Sequence, residues 1–195
     1  MSVMTKGNFI PKKVTTKQIA IMALLIAIEV VLSRFLAIPT PIVKVSMNFL
    51  PVVLMAILYG PVFAGIGAAM ADFIGAMMFP VGAYFPGFTL TAFFIGAVYG
   101  LFLYKGEIDG SKGLIKVFLA AFIVTVILQL GVETLWVAII TTGNPDSEYS
   151  TIKDAYMAWL SIRAVRTAFM LPIQVLFIRM LPLVTKHIHS LASQA

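Results

Sequence analysis

Phe79-Pro-Val-Gly-Ala-Tyr-Phe-Pro-Gly-Phe-Thr-Leu-Thr-Ala-Phe-Phe94 interrupts an otherwise nearly continuous apolar chain with two prolines, two glycines and an aromatic cluster. Lipid offers a bare backbone no hydrogen bonds. A chain at membrane depth is therefore helical, buried in protein or turned toward water. Asp72 lies just before the break, and Thr89 and Thr91 lie within its far end. Two readings follow: a connecting hairpin at a membrane surface, or a structured wall over a polar site.

Working outward, the composition decides the class. Hydrophobic residues are 61% of the 195 positions and charged residues 11%, against roughly 25% charged in a soluble domain. The chain reads as an all-α integral membrane protein forming a single membrane domain over 1–195, with tails at 1–15 and 186–195. Cysteine is absent, which excludes disulfides, thiol nucleophiles and thiolate metal sites. His187 and His189 fall in the C-terminal tail, away from any intramembrane centre. No metal site or cofactor is expected. The net charge of +6 does not mark a nucleic-acid binder. Lys6, Lys12, Lys13 and Lys17 precede the first apolar span, and Lys105, Lys112 and Lys116 bracket one loop, which is the positive-inside distribution. The first span also exceeds the ~7–15 residues of a signal-peptide core.

Six apolar segments are expected, at about 18–38, 47–59, 61–79, 88–104, 114–141 and 155–184, giving a six-transmembrane-helix bundle. The second is short, and Tyr59-Gly60-Pro61 forms a tight turn after it. An even number of spans puts both termini on one side, and the lysines make that side cytoplasmic. The outer loops then cover about 39–46, 80–87 and 142–154, so the opening segment lies outside.

Depth follows from the ~1.5 Å rise per helical residue. Glu133 and Arg163 lie about 12 Å inside their spans, Asp72 about 10 Å and Arg34 about 6 Å. Arg166 lies one turn below Arg163, and Glu29 lies below Arg34. Intramembrane charges cost roughly 2.5–3.5 kcal/mol each and face a cavity or one another. Mutual neutralisation would account for three acids and three arginines. Their shared depth also fits a polar cavity open to the outside. Thr125, Gln129, Glu133 and Trp136 share one face of span five, and Trp159, Arg163, Arg166 or Thr167, Met170 and Gln174 one face of span six. Each face couples a flat aromatic with hydrogen-bonding groups, as a planar heterocyclic ligand requires. Small residues such as Ala64, Gly65 and Ala68 on span three, and Ala92, Gly96 and Gly100 on span four, suit close helix packing. Ala20, Ala23 and Ala27 make a similar row on span one, fit for an internal neighbour or another protein.

Ala71-Asp-Phe-Ile-Gly75 followed by the 79–91 segment, with Leu32-Ser-Arg-Phe35, Ala23-Leu-Leu-Ile-Ala27 and Tyr99-Gly-Leu-Phe-Leu-Tyr-Lys105, resembles the substrate-capture (S) components of energy-coupling factor (ECF) vitamin transporters. The folate-specific family is the most similar, over nearly the whole chain. The resemblance implies a high-affinity folate-binding subunit of a bacterial plasma membrane. It would capture folate outside and deliver it inward by toppling, together with a membrane scaffold (T) component and two cytoplasmic ABC ATPases. ATP hydrolysis then belongs to the partners, and no Gly-x-x-x-x-Gly-Lys-[Ser/Thr] loop occurs in this chain. The resemblance also implies that Ala20, Ala23 and Ala27 face the scaffold.

For folate, Asp72 or Glu133 suits the paired N–H donors of the pterin edge, completed by Gln129. Tyr84, Phe85, Phe88, Trp136 and Trp159 suit ring stacking. Arg34, Lys44, Arg163 and Arg166 suit the glutamate carboxylates, with Arg163 equally placed to pair with Glu133. Competing readings are an S component for pantothenate, thiamin or a purine-like precursor, a self-sufficient secondary transporter, and an intramembrane enzyme. The last lacks any histidine or cysteine at depth.

Overall fold

A computed structural model describes residues 15–36, 38–39, 44–80, 84–104, 110–145 and 147–193, with side chains described except at 38–39, 44–45 and 182–193. Helix α1 (Thr16–Arg34) starts on a capping box. Thr15 Oγ1 accepts from the Gln18 amide at 3.4 Å, and Gln18 Oε1 accepts from the Thr15 amide at 3.0 Å. The helix ends at Arg34, four residues before the expected limit. Beyond it, Ile38–Pro39 pairs with Lys44–Val45 in a two-residue antiparallel ladder. Pro39 and Pro41 explain the early stop, since proline lacks the amide and drives the preceding residue to extended backbone. Arg34 thus occupies the last turn of α1, rather than a position about 6 Å inside it.

Helix α2 (Phe49–Tyr59) is short, and Gly60, at φ 85°, makes the expected turn into α3 (Pro61–Met78). Helix α4 spans Pro86–Leu103, with Pro86 in its first turn, where a missing amide costs nothing. The far half of the 79–94 stretch is therefore helix. Its irregular backbone is confined to residues before Pro86, of which 81–83 lie outside the described residues. Helix α5 covers Gly110–Thr142 and widens to a π-helix over Ile123–Val132, a feature the apolar pattern does not announce. Helix α6 runs from Ile152 to Ser193, well past the expected limit near 184. The N-terminal tail lies outside the described residues up to residue 14.

Five helices, α1 and α3 to α6, are long and apolar enough to cross a bilayer, and α2 is a shorter apolar helix. Its 11 residues reach only about 16 Å. It serves as the centre of the core: Val53, Met55 and Ala56 are fully buried and Phe49 and Val52 nearly so. A helix apolar on every side is satisfied by such burial. Around it α3 and α4 pack most extensively. A Cβ on Gly96 would stand 2.3 Å from the Ala64 carbonyl oxygen, so this crossing depends on bare backbone, as the small-residue rows predict. The buried polar pair in this core is self-sufficient: Tyr99 Oη donates to Gln174 Oε1 at 2.8 Å. Large apolar side chains such as Leu24, Met78 and Phe169 point outward.

Ala20, Ala23 and Ala27 are exposed on α1, beside the exposed Ile19, Leu24 and Ile28. The small-residue row of the first helix is therefore not used for packing inside this bundle.

Candidate functional site

The helices alternate in direction, so the C-terminal ends of α1, α3 and α5 meet the N-terminal ends of α2, α4 and α6. A cavity of about 390 Å³ opens at this end, within the ~300–1,000 Å³ of small-molecule sites. Helix α1 contributes Glu29, Ser33 and Arg34, and the α1–α2 connection contributes Ser46 and Asn48. Phe49 and Val52 come from α2, and Ala68, Asp72 and Ala76 from α3. Pro80, Tyr84 and Phe85 form the rim, while α4 supplies Phe88, Ala92 and Ile95. Gln129 and Glu133 of α5 and Arg166 of α6 complete the wall.

Eight residues expected from sequence therefore meet in one cavity: Arg34, Asp72, Tyr84, Phe85, Phe88, Gln129, Glu133 and Arg166. Trp136, Trp159 and Arg163 do not line it. The Lys44 side chain lies outside the described residues. Of the two expected helix faces, Gln129 and Glu133 of α5 and Arg166 of α6 reach the cavity. Thr125 Oγ1 is spent on the Ala121 carbonyl, 2.6 Å away, and Gln174 on Tyr99. The α5 residues project from the π-helical turns or their edge, and such widened turns are frequent at functional sites.

Asp72 is held from two sides, with Tyr84 bracing one of them. Thr89 Oγ1 donates to its Oδ2 at 2.7 Å, Tyr84 Oη shares a hydrogen bond with Thr89 at 3.1 Å, and Arg34 Nη2 stands 4.0 Å from its Oδ1. The Pro/Gly/aromatic break thus reaches back to the acid that precedes it. Gly75, one turn along α3, leaves the room that Arg34 occupies, since a Cβ there would lie 2.9 Å from Arg34 Nε. That Nε is buried without a hydrogen-bond partner among the described residues.

Behind the opposite wall, Arg163 Nη2 donates to Glu133 Oε2 at 2.9 Å, and its Nη1 reaches Thr134 Oγ1 at 3.4 Å. Arg163 is thereby turned to Glu133 and away from the cavity. Trp136 supports the rim from outside. Its Nε1 donates to Thr91 Oγ1 at 3.0 Å, and its ring packs on Phe85 at a centroid distance of 5.4 Å. Trp159 carries a buried Nε1 without a hydrogen-bond partner among the described residues and does not line the cavity.

Sequence reasoning counted Glu29 among the charges of a polar cavity but gave no ligand contact to it, nor to Ser33, Ser46 or Asn48. Glu29 and Ser33 had a usable signal, since a step of four puts them on one helix face, one of them a charge at depth. Ser46 had none: its Oγ donates to the Leu32 carbonyl at 2.9 Å and accepts from the Asn48 amide at 3.3 Å. It pins the connection to α1 only through tertiary contact.

The arrangement offers carboxylate acceptors, two arginine donors and aromatic walls around a slot. A flat molecule with both N–H donors and anionic groups would meet a partner at each end.

The family model described as ECF transporter, substrate-specific component, matches residues 17–182. A curated protein of Clostridium novyi (strain NT), "Folate transporter FolT", is 38% identical over 157 residues, covering 80% of this chain and 83% of that protein. A protein of the same name from Leuconostoc mesenteroides is 31% identical over 173 residues, covering 88% and 87%. A solved structure described as "Crystal structure of FolT bound with folic acid" superposes with a TM-score of 0.72 at 40% identity. The match covers 86% of this chain and 93% of the other.

Proposed function

The chain belongs to the substrate-specific components of ECF transporters, and we propose that within that family it is the folate-binding subunit. The observation that carries this reading is the likeness, at 40% identity and a TM-score of 0.72, to a FolT structure bound with folic acid. The cavity supports it independently: carboxylates suit the pterin donors, and arginines suit the two carboxylates of the glutamate tail. Arg34 and Arg166 are the clamp, with Lys44 near the mouth. Tyr84, Phe85 and Phe88 contact the rings, Trp136 braces Phe85, and Gln129 completes the polar edge. Trp159 and Arg163 act from behind the wall, Arg163 by holding Glu133.

The subunit is a solute carrier component and not an enzyme. Counting α2 as a sixth, short crossing places both termini in the cytoplasm, a topology supported by the lysines of the N-terminus and of the Lys105–Lys116 region. The cavity then faces outward in the plasma membrane of a bacterium. Inward delivery draws on a scaffold T component and two ABC ATPases, and the exposed Ala20, Ala23 and Ala27 row is the scaffold-docking face. Mass spectrometry of small molecules released from the purified protein tests the reading. Folate is expected; pantothenate, thiamin or a purine in its place would refute it.

A further inference from the structure

Three carboxylates line the cavity, and two of them already have protein partners. Glu133 is held by Arg163 at 2.9 Å. Asp72 accepts from Thr89 at 2.7 Å and stands 4.0 Å from Arg34. Glu29 is different. It is 6% exposed, it lines the cavity, and its Oε2 is buried without a hydrogen-bond partner among the described residues.

A carboxylate withdrawn from water and left unpaired is expensive, and folded proteins keep few such atoms. A cost of this kind persists where a partner arrives from outside the chain. Glu29 lies on α1 about 7.5 Å below Arg34 along the helix axis. The deepest wall around the slot is apolar, formed by Val52, Ala68 and Ile95. A flat heterocycle sliding between these walls meets in Glu29 the only carboxylate of α1.

We propose that Glu29 is the specificity-determining acceptor of this site. Its carboxylate takes the two adjacent N–H donors of a pterin edge, the ring N3–H and the 2-amino group. Asp72 and Glu133 are then positioning residues, and Arg34 is left for the anionic tail. The inference rests on the folate reading above and says which acid performs the recognition.

The test uses the purified full-length protein, folate, and a folate analogue whose 2-amino group is replaced by methyl. Glu29→Gln is nearly isosteric but turns one acceptor into a donor. It is expected to weaken folate binding at least about tenfold, the scale of a hydrogen bond to a charged group. The analogue binds the wild type more weakly than folate does, and Glu29→Gln costs it much less, because the same contact cannot be lost twice. Ligand-free Glu29→Gln is also expected to melt no lower than the wild type, since Glu29 Oε2 has no hydrogen bond to lose. Unchanged folate affinity overturns the proposal, as does an equal loss for both ligands or a lowered melting temperature without ligand. Should the wild type fail to bind folate at all, the folate reading itself falls, and this inference falls with it.

Discussion

Arg163 and Glu133 form a 2.9 Å ion pair that ties α6 to α5 just past its π-widened turns. Both side chains retain about a fifth or less of their accessible surface. The pair fixes the carboxylate that borders the cavity while keeping the guanidinium off the ligand side. Removing one partner of such a pair strands the other, at about 3 kcal/mol. Arg163→Ala is therefore expected to lower the thermal stability of the detergent-purified protein. Combining Arg163→Met with Glu133→Gln is expected to restore most of it, as read by the melting temperature.

Gly75 carries a prediction of the opposite kind. A Cβ there would stand 2.9 Å from Arg34 Nε, the end of a flexible side chain that moves aside at little cost. Gly75→Ala is thus expected to leave the melting temperature nearly unchanged while weakening folate affinity about tenfold, the scale of one displaced charge-assisted contact. Equal affinities for variant and wild type would remove Arg34 from the clamp.

Gly96 meets backbone instead. Its Cβ would lie 2.3 Å from the Ala64 carbonyl oxygen, and neither helix can yield locally. Gly96→Ala is expected to destabilise the bundle by about 1–3 kcal/mol, the usual cost of overpacking. The loss would be visible as a lower melting temperature with or without folate.

Ala23 lies on the exposed face of α1, distant in sequence from every cavity residue except those of its own helix. Ala23→Trp is expected to leave folate binding by the isolated subunit intact and to abolish uptake in cells that supply the scaffold and ATPases. Normal uptake would refute the docking role.

Much of the site was legible because membranes make charge conspicuous. Asp72, Glu133 and Arg166 stood out at a shared depth, and the Pro/Gly/aromatic break marked Tyr84, Phe85 and Phe88. Three things were not legible. The early end of α1 depended on Pro39, where the chain pairs in a two-residue ladder, and it left Arg34 in the last turn of the helix. The π-helix over Ile123–Val132 follows from packing, since its apolar pattern suits an α-helix equally well. Partner choice was hidden too: Arg163 suited ligand and Glu133 alike on spacing, and only tertiary geometry assigns it to the latter. Glu29 was visible as a charge at depth, but its lack of a partner is a property of the fold alone.

Folate is proposed to bind in the cavity where α1 to α6 meet. Isothermal titration of folate into the purified, ligand-free protein tests it most directly, with pantothenate and thiamin as competitors. Saturable one-to-one binding of folate that neither competitor displaces is expected. Absence of folate binding, with saturation by another vitamin, would contradict it.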